Sequence, residues 1–293
     1  VKPQKTPQTL SAEPSIMYAK LQTWWTILRI CLEERLVYRA DFAMGTLMRF
    51  LPIITQIFLW FAVFEASGKE ELAGYRYEAF VAYYLLTMIS RAFSSMPGLA
   101  SGIARQVREG EIKKYLIQPV DMLGFLLLAR IAHKLAYYAV AIAPFALVFF
   151  LCRNYFVDLP ATAATHSIVT ALAFVASLLL SFILGFFLEA TLGLMGFWFL
   201  EVSSLLFVYM LFNFFLSGHM FPLDMLNEPW HSLVAWSPLQ YLAYFPAAVF
   251  LGKYESESLG RALLLEVCWV LFFMVAARVL LQRGIRQYSG YGG

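Results

Sequence analysis

SIVTALAFVASLLLSFILGFFLEA, Ser167 to Ala190, carries one charged side chain, Glu189, close to its end. It exceeds the ~20 apolar residues that a helix needs to cross ~30 Å of hydrocarbon. A helix of this sequence has no polar face to turn toward water. The rest of the chain agrees. Its 293 residues are 61% hydrophobic and 14% charged, whereas soluble domains run at roughly 45–50% and about 25%. Disorder, a disulfide scaffold and a nucleic-acid-binding domain are excluded together. A net charge of +3 is too small to say anything about polyanion partners, and what matters is where the charges sit. Cys31, Cys152 and Cys268 are odd in number and far apart, which suits neither a disulfide framework nor a metal site. The chain reads as an all-α integral membrane protein.

Working outward from that stretch, five more segments qualify as spans: about Gly45–Ala66, Glu78–Leu99, Leu135–Leu151 (or from Met122), Phe197–Leu216 and Leu259–Leu281. Trp198 and Tyr155 sit where interfacial anchors belong. With a cytoplasmic N-terminus, the inside segments hold Lys2, Lys5, Lys20, Arg29, Arg35, Arg39, Arg105, Arg108, Lys113, Lys114, Arg130, Lys134, Arg278, Arg283 and Arg286. The outside segments hold only Lys69, Arg76, Arg153 and Lys253. This positive-inside bias puts both termini in the cytoplasm, as six spans require.

Residues 1–15 are polar and proline-broken and read as a disordered cytoplasmic tail rather than a signal peptide. Residues 16–40 read as an interfacial amphipathic helix, with Leu21, Trp24, Trp25, Leu28, Cys31 and Leu32 on one face; packing on a partner is the alternative. The six-span domain then occupies residues 41–283, and 284–293 form a second cytoplasmic tail. Within the domain, RQVREGEIKKYLIQPVD (Arg105–Asp121) is the most charged part of the chain. It predicts a short helix with Ile112, Tyr115 and Leu116 on one flank, stopped by Pro119. Such a flank suits docking into a partner's groove, or else lying on the leaflet with snorkelling lysines. Residues 217–252 are too apolar for a solvated loop and are cut by Pro222, Pro229, Pro238 and Pro246. Two short helices dipping into the outer leaflet, a re-entrant hairpin, fit best. His219 and His231 match no common metal spacing, and Asp224 and Glu228 are expected to cap helix ends.

Polar residues inside the spans are costly and point to function. Tyr84, Thr87, Arg91, Ser94, Ser95, Gly98 and Gly102 fall within about a third of one helix's circumference. That stripe lines a pathway, or packs tightly with Arg91 paired to a carboxylate. Glu201 in the fifth span is the expected partner. Gln56 lies mid-membrane, Arg49 snorkels to the interface, and Arg261 with Glu266 reads as a structural pair. The chain has no GxxxxGK[ST] and so no phosphate cradle of its own.

Taken in order, these elements resemble the permease subunits of type-2 ABC exporters, the ABC-2 type, in their bacterial six-span branch. Arg108-Glu109-Gly110-Glu111-Ile112 leading to Tyr115-Leu116-Ile117-Gln118-Pro119-Val120 is similar to the family's coupling helix (105–119). Leu216-Ser217-Gly218 with Phe221-Pro222, Ser237-Pro238 and Tyr244-Phe245-Pro246 resemble its late motifs, and Arg283–Tyr288 its cytoplasmic end.

The resemblance implies a six-helix half-transporter in a bacterial cytoplasmic membrane. A second permease, identical or related, would pair with it above two ABC ATPase subunits that bind ATP and Mg. The chain itself would hold no cofactor and catalyse nothing. The first, second and fifth spans would line the route, bringing Gln56, Tyr84, Thr87, Arg91, Tyr209, Phe212 and Asn213 near it; Arg91 and Glu201 match no family motif, and their role rests on the cost of burial alone. The hairpin, with Phe221, Pro222 and Trp230, would be an outer gate. An aromatic-rich route with one or two carboxylates suits an amphipathic or cationic substrate, with lipid-linked glycans and peptides also open. An ion-coupled secondary transporter or channel is the rival reading. An intramembrane serine protease lacks a histidine on the sixth span to partner Ser217.

Overall fold

The computed structural model describes residues 16–37, 39–72, 74–118, 120–156, 168–199 and 201–288, the side chains of 16–20, 39–43, 46, 47, 49 and 256 excepted. The tail 1–15, the snorkelling of Arg49 and the stop at Pro119 fall outside them. The described residues are predominantly helical: α1 (Ile16–Val37), α2 (Arg39–Ser67), α3 (Tyr77–Ser94), α4 (Leu99–Arg108), α5 (Lys113–Ile117), α6 (Met122–Leu151), α7 (Ile168–Leu194), α8 (Ser203–Leu216), α9 (Trp230–Ala235), α10 (Tyr244–Phe250) and α11 (Ser256–Gln287). One small antiparallel ribbon interrupts them. Its strands, β1 (Glu71–Leu72) and β2 (Tyr75–Arg76), pair Glu71 with Arg76, and Gly74 at φ +77° makes the turn.

By length and composition four helices can cross a membrane: α2 from Phe50, α6, α7 with its 3-10 extension to Phe197, and α11 from Glu257. The chain is a multi-pass membrane protein. The other two expected spans form helices of a different kind. Helix α3 is 18 residues long and more polar, and most of its residues are buried inside the protein. Its tyrosines and serines therefore face protein groups rather than lipid. Helix α8 has 14 residues, about 21 Å, short of a ~30 Å core. The fifth segment does not start as a helix at Phe197. The Trp198 and Phe199 N–H groups both fold back to the Met195 carbonyl, and helix resumes only at Ser203.

One other expectation changes, and the start of the third segment falls at the earlier of its two expected positions. The second segment does not run unbroken through Leu99. Helix α3 stops at Ser94, Ser95 is extended, and Gly98 at φ +70° starts α4. Pro97 supplies the reason, since it has no N–H to give and restricts the residue before it to extended backbone. The third segment is one helix from Met122, continuous through Pro144.

The chain forms two compact units. The smaller joins α1 to residues 120–141, the first part of α6. There the Trp24 ring lies against Gly124, where an added Cβ would come within 3.0 Å of it. Asp121 accepts the Gly124 N–H at 2.7 Å and so caps α6. The expected apolar face of α1 is divided: Cys31 is buried and Trp24, Leu28 and Leu32 are half-covered, but Leu21 and Trp25 are bare.

In the larger unit α7 is the central post, with α3, α4, α10 and α11 packed around it. Glycines permit the closest approaches. A Cβ on Gly185 would collide with the Ser94 carbonyl, and one on Gly193 would lie 2.6 Å from the Ala100 carbonyl oxygen. Small residues at such contacts let helix backbones touch, which is how membrane helices gain packing energy without a hydrophobic drive. Arg261 does not pair with Glu266. It binds Glu257, one turn earlier on the same surface, whereas a five-residue offset turns the two side chains about 140° apart. Glu266 is fully buried, and neither carboxylate oxygen has a partner among the described residues.

Candidate functional site

Three consecutive cavities follow the polar stripe of α3 and α4. The first, about 330 Å³, is lined by Gln56, Tyr84, Thr87, Arg91, Ser95 and His219 with Ile53 and Met88. The second, also about 330 Å³, shares Arg91 and Ser95 with it and adds Glu189, Tyr209, Asn213 and Ser217. The third, about 430 Å³, shares Gly98, Ser101 and Leu206 with the second and ends at Arg105 and Arg108. Every residue of the expected stripe lines at least one of them. The α3–α4 break helps, because the non-helical Ser95–Gly98 segment is itself part of the wall.

The carboxylate beside Arg91 is Glu189, not Glu201. Glu189 lines the second cavity with Arg91, and both charges act on the Tyr209 hydroxyl. Glu201 is exposed in the non-helical segment before α8 and lines none of the three. The expectation failed because it assumed a helix through residue 201. Gln56, Tyr84, Thr87, Tyr209 and Asn213 do meet at the cavities, while Phe212 projects from the bare side of α8. Three cavity-lining polar atoms are buried without a hydrogen-bond partner among the described residues: Gln56 Oε1, Asn213 Oδ1 and Ser217 Oγ. A cavity that leaves hydrogen-bonding groups unmatched is built to meet water or a ligand.

One end of the first cavity is held by tyrosines of α3. The Tyr84 hydroxyl donates to the Met220 carbonyl at 2.7 Å and accepts from Trp60 Nε1 at 2.5 Å. Tyr83 donates to the Gly218 carbonyl, and the Tyr244 N–H to Ser217 O at 2.8 Å. Gly218 has φ +81°, and an added Cβ would lie 2.6 Å from Tyr244 Cβ, so only glycine fits. This fastening presents His219 to the cavity. Burial first, and then the Arg91 charge, push its imidazole down to about 3, so it is neutral at physiological pH.

Of the expected gate residues, Pro222 is buried, Phe221 packs on the aromatic core, and Trp230 is exposed. Asp224 caps no helix. It accepts from the Tyr75 hydroxyl at 2.9 Å and pairs with Lys253 Nζ at 3.5 Å, tying the β-ribbon to the chain beyond α10. Glu228 does act at the start of α9, accepting from Ser232 Oγ at 2.5 Å and lying 3.3 Å from His231 Nδ1.

Residues 50–292 match the family model for ABC-2 family transporter proteins. The chain belongs to that family. A comparison with curated proteins finds no match to the chain. The family is one of ABC transporter permeases, so the cavities belong to the membrane domain of a transport subunit.

In this ABC-2 transporter the charged segment after α4 is more compact than the sequence suggests. Gly110 at φ +76° turns the chain, and the Ile112 N–H returns to Gln106 O at 3.2 Å. Ile112 is fully buried, so it anchors the turn rather than facing a partner. The outward apolar surface is Leu116, 44% exposed, and Ile117, 82% exposed. Tyr115 is half-buried between them and the turn, while Arg108, Glu109 and Glu111 are exposed around it and Gly110 is buried. Glu111 holds Lys114 at 3.3 Å. Sequence reasoning missed Ile117 because helical spacing from Ile112 put it off the flank. It also missed Ser217 and His219 as cavity residues, since nothing local to them announces Tyr83, Tyr84 and Tyr244.

Proposed function

We propose that the chain is the membrane-spanning half of an ATP-driven exporter with six spans and both termini in the cytoplasm of a bacterial cell. The observation that carries this reading is that α4 does two things. Its Ser101, Gly102, Arg105 and Arg108, with Gly98 just before it, form a wall of the innermost cavity. Its C-terminus leads directly into the turn and α5 (Lys113–Ile117), where Leu116 and Ile117 are bare. An ATPase gripping that tip moves a cavity wall, with the Ser95–Gly98 break as the joint. Nucleotide can drive the motion only by binding the two arrangements with different affinity. The fifth crossing is then completed by the non-helical residues before α8. Their backbone is tolerated at depth because Val202 and Ser203 line the innermost cavity. The bias of inside lysines and arginines supports the orientation. The uncovered apolar faces of α2 and α8 supply surface for lipid and for a second permease, identical or related. ATP and Mg belong to the ATPase subunits, and the segment near Phe221, Pro222 and Trp230 is the outer gate.

The test is co-expression with a candidate ABC ATPase, followed by detergent purification and co-elution. Wild type should retain the ATPase, and Leu116→Asp/Ile117→Asp should lose it while eluting as a folded protein. Unchanged co-elution in the double variant sinks the docking assignment.

A second reading is favoured by the broken α3–α4 segment and the buried Glu266. Both are features of ion-coupled transporters. Transport in vesicles driven by a proton gradient without ATP would establish it instead.

A further inference from the structure

We propose that the substrate of this route carries an anionic group, a phosphate, sulfonate or carboxylate, on an apolar body. This rests on the transport reading above and replaces the expected amphipathic or cationic substrate with an anionic amphipath. Among the described residues, the charges lining the three cavities are Arg91, Arg105 and Arg108 against Glu189. Whatever Arg91 and Glu189 exchange with each other, the sum along the route stays positive, because Glu201 does not contribute to the lining. Arg105 and Arg108 stand at one mouth, where low-dielectric walls focus their field and draw anions in.

Beside Arg91 the second cavity holds the Ser217 hydroxyl, which is fully buried and has no partner among the described residues, and the Asn213 amide. Gln56 brings another amide into the first cavity, also with an unmatched oxygen. A guanidinium with a hydroxyl donor in the same cavity is the recognition chemistry of an oxyanion, while the unmatched amide oxygens of Asn213 and Gln56 accept from water or from a hydroxyl of the bound molecule. His219, held neutral, adds no charge of either sign. Ile53, Met88, Leu206, Met210 and Leu242 supply apolar wall for the remainder of such a molecule.

The probes are dodecyl phosphate and dodecyltrimethylammonium, which share a chain and differ in head charge. Binding is measured below their micellar concentrations on the full chain in phosphatidylcholine nanodiscs, with empty nanodiscs subtracting partition. Wild type should bind the phosphate about 10-fold more tightly, the equivalent of ~1.4 kcal/mol. Arg91→Gln and the milder Ser217→Ala should each erode that preference, Arg91→Lys should keep part of it, and Glu189→Gln should enlarge it. Glu201→Gln should leave it unchanged. Equal affinities, a preference for the ammonium, or a preference insensitive to both Ser217→Ala and Arg105→Gln/Arg108→Gln would overturn the inference. The ATPase co-elution test reports separately. Co-elution with no anion preference sinks the substrate class alone. An anion preference without any ATPase leaves the site and removes the exporter.

Discussion

Gly193→Ala puts one methyl group where α7 meets α4. The added Cβ would lie 2.6 Å from the Ala100 carbonyl oxygen, 2.9 Å from Ile103 Cβ and 3.0 Å from Ala100 Cα. Two of these neighbours are backbone and the third is the branch point of a stiff side chain, so no rotamer change relieves the overlap. The helices must separate by several tenths of an ångström along a contact that also includes Gly185 on Ser94 and Gly196 on Ala104. Overpacking of this kind costs ~1–3 kcal/mol. The intrinsic gain of alanine over glycine in a helix, ~1 kcal/mol, offsets only part of it. Gly260→Ala in α11 isolates that gain, since nothing lies within 4 Å of its would-be Cβ. The assay is the temperature at which half of the protein stays monodisperse after heating in detergent. Gly193→Ala should melt about 2–12 °C below Gly260→Ala, and Gly260→Ala should hold or rise. A Gly193→Ala protein as stable as Gly260→Ala would show that α4 does not sit on α7 as closely as described. Because α4 walls the cavity that ends at Arg105 and Arg108, the same variant should also alter probe binding there.

Three other outcomes follow from the same structure. Asp224→Ala leaves the buried Tyr75 hydroxyl without its acceptor and should cost ~1–3 kcal/mol. Adding Tyr75→Phe to it should then cost less than Tyr75→Phe does in wild type, and strict additivity in the cycle would refute the bond. The folded chain holds His219 neutral, whereas an unfolded chain protonates it near pH 6.5. The stability this gives is therefore complete above that pH and is lost as pH falls toward about 3, by at most ~1.4 kcal/mol per unit. Heating scans at pH 7.5 and 5 should show a drop that shrinks in His219→Gln, and an identical drop would refute the burial. Glu266→Gln should leave stability within about 1 kcal/mol or raise it, since the carboxylate has no partner among the described residues. A larger loss on heating would mean that the acid is paired.

Several features were readable from residues alone because their causes are local. Runs such as Ser167–Ala190 and Leu259–Leu281 declare membrane helices through composition. The stripe from Tyr84 to Gly102 was legible because burying Arg91 is expensive wherever it goes. The family followed from the order of such elements. The positions that failed depend on distant neighbours. Glu201 was assigned to a helix that begins only at Ser203, and Ile112 was turned outward when the backbone folds it back toward Gln106. Arg261 and Glu266 looked like a pair in sequence, yet helical geometry sends them to different faces.

The sequence by itself determined that this chain lives in a membrane, which stretches are apolar, where its positive charges lie and which family it belongs to. Those properties are sums over neighbouring side chains, and the hydrophobic effect reads them without a fold. Only the tertiary structure decided that Glu189 and not Glu201 faces Arg91, and that Gly218 and the tyrosines of α3 hold His219 over a cavity. It alone decided that the described lining carries more arginines than carboxylates, because a cavity's charge depends on which distant segments close around it.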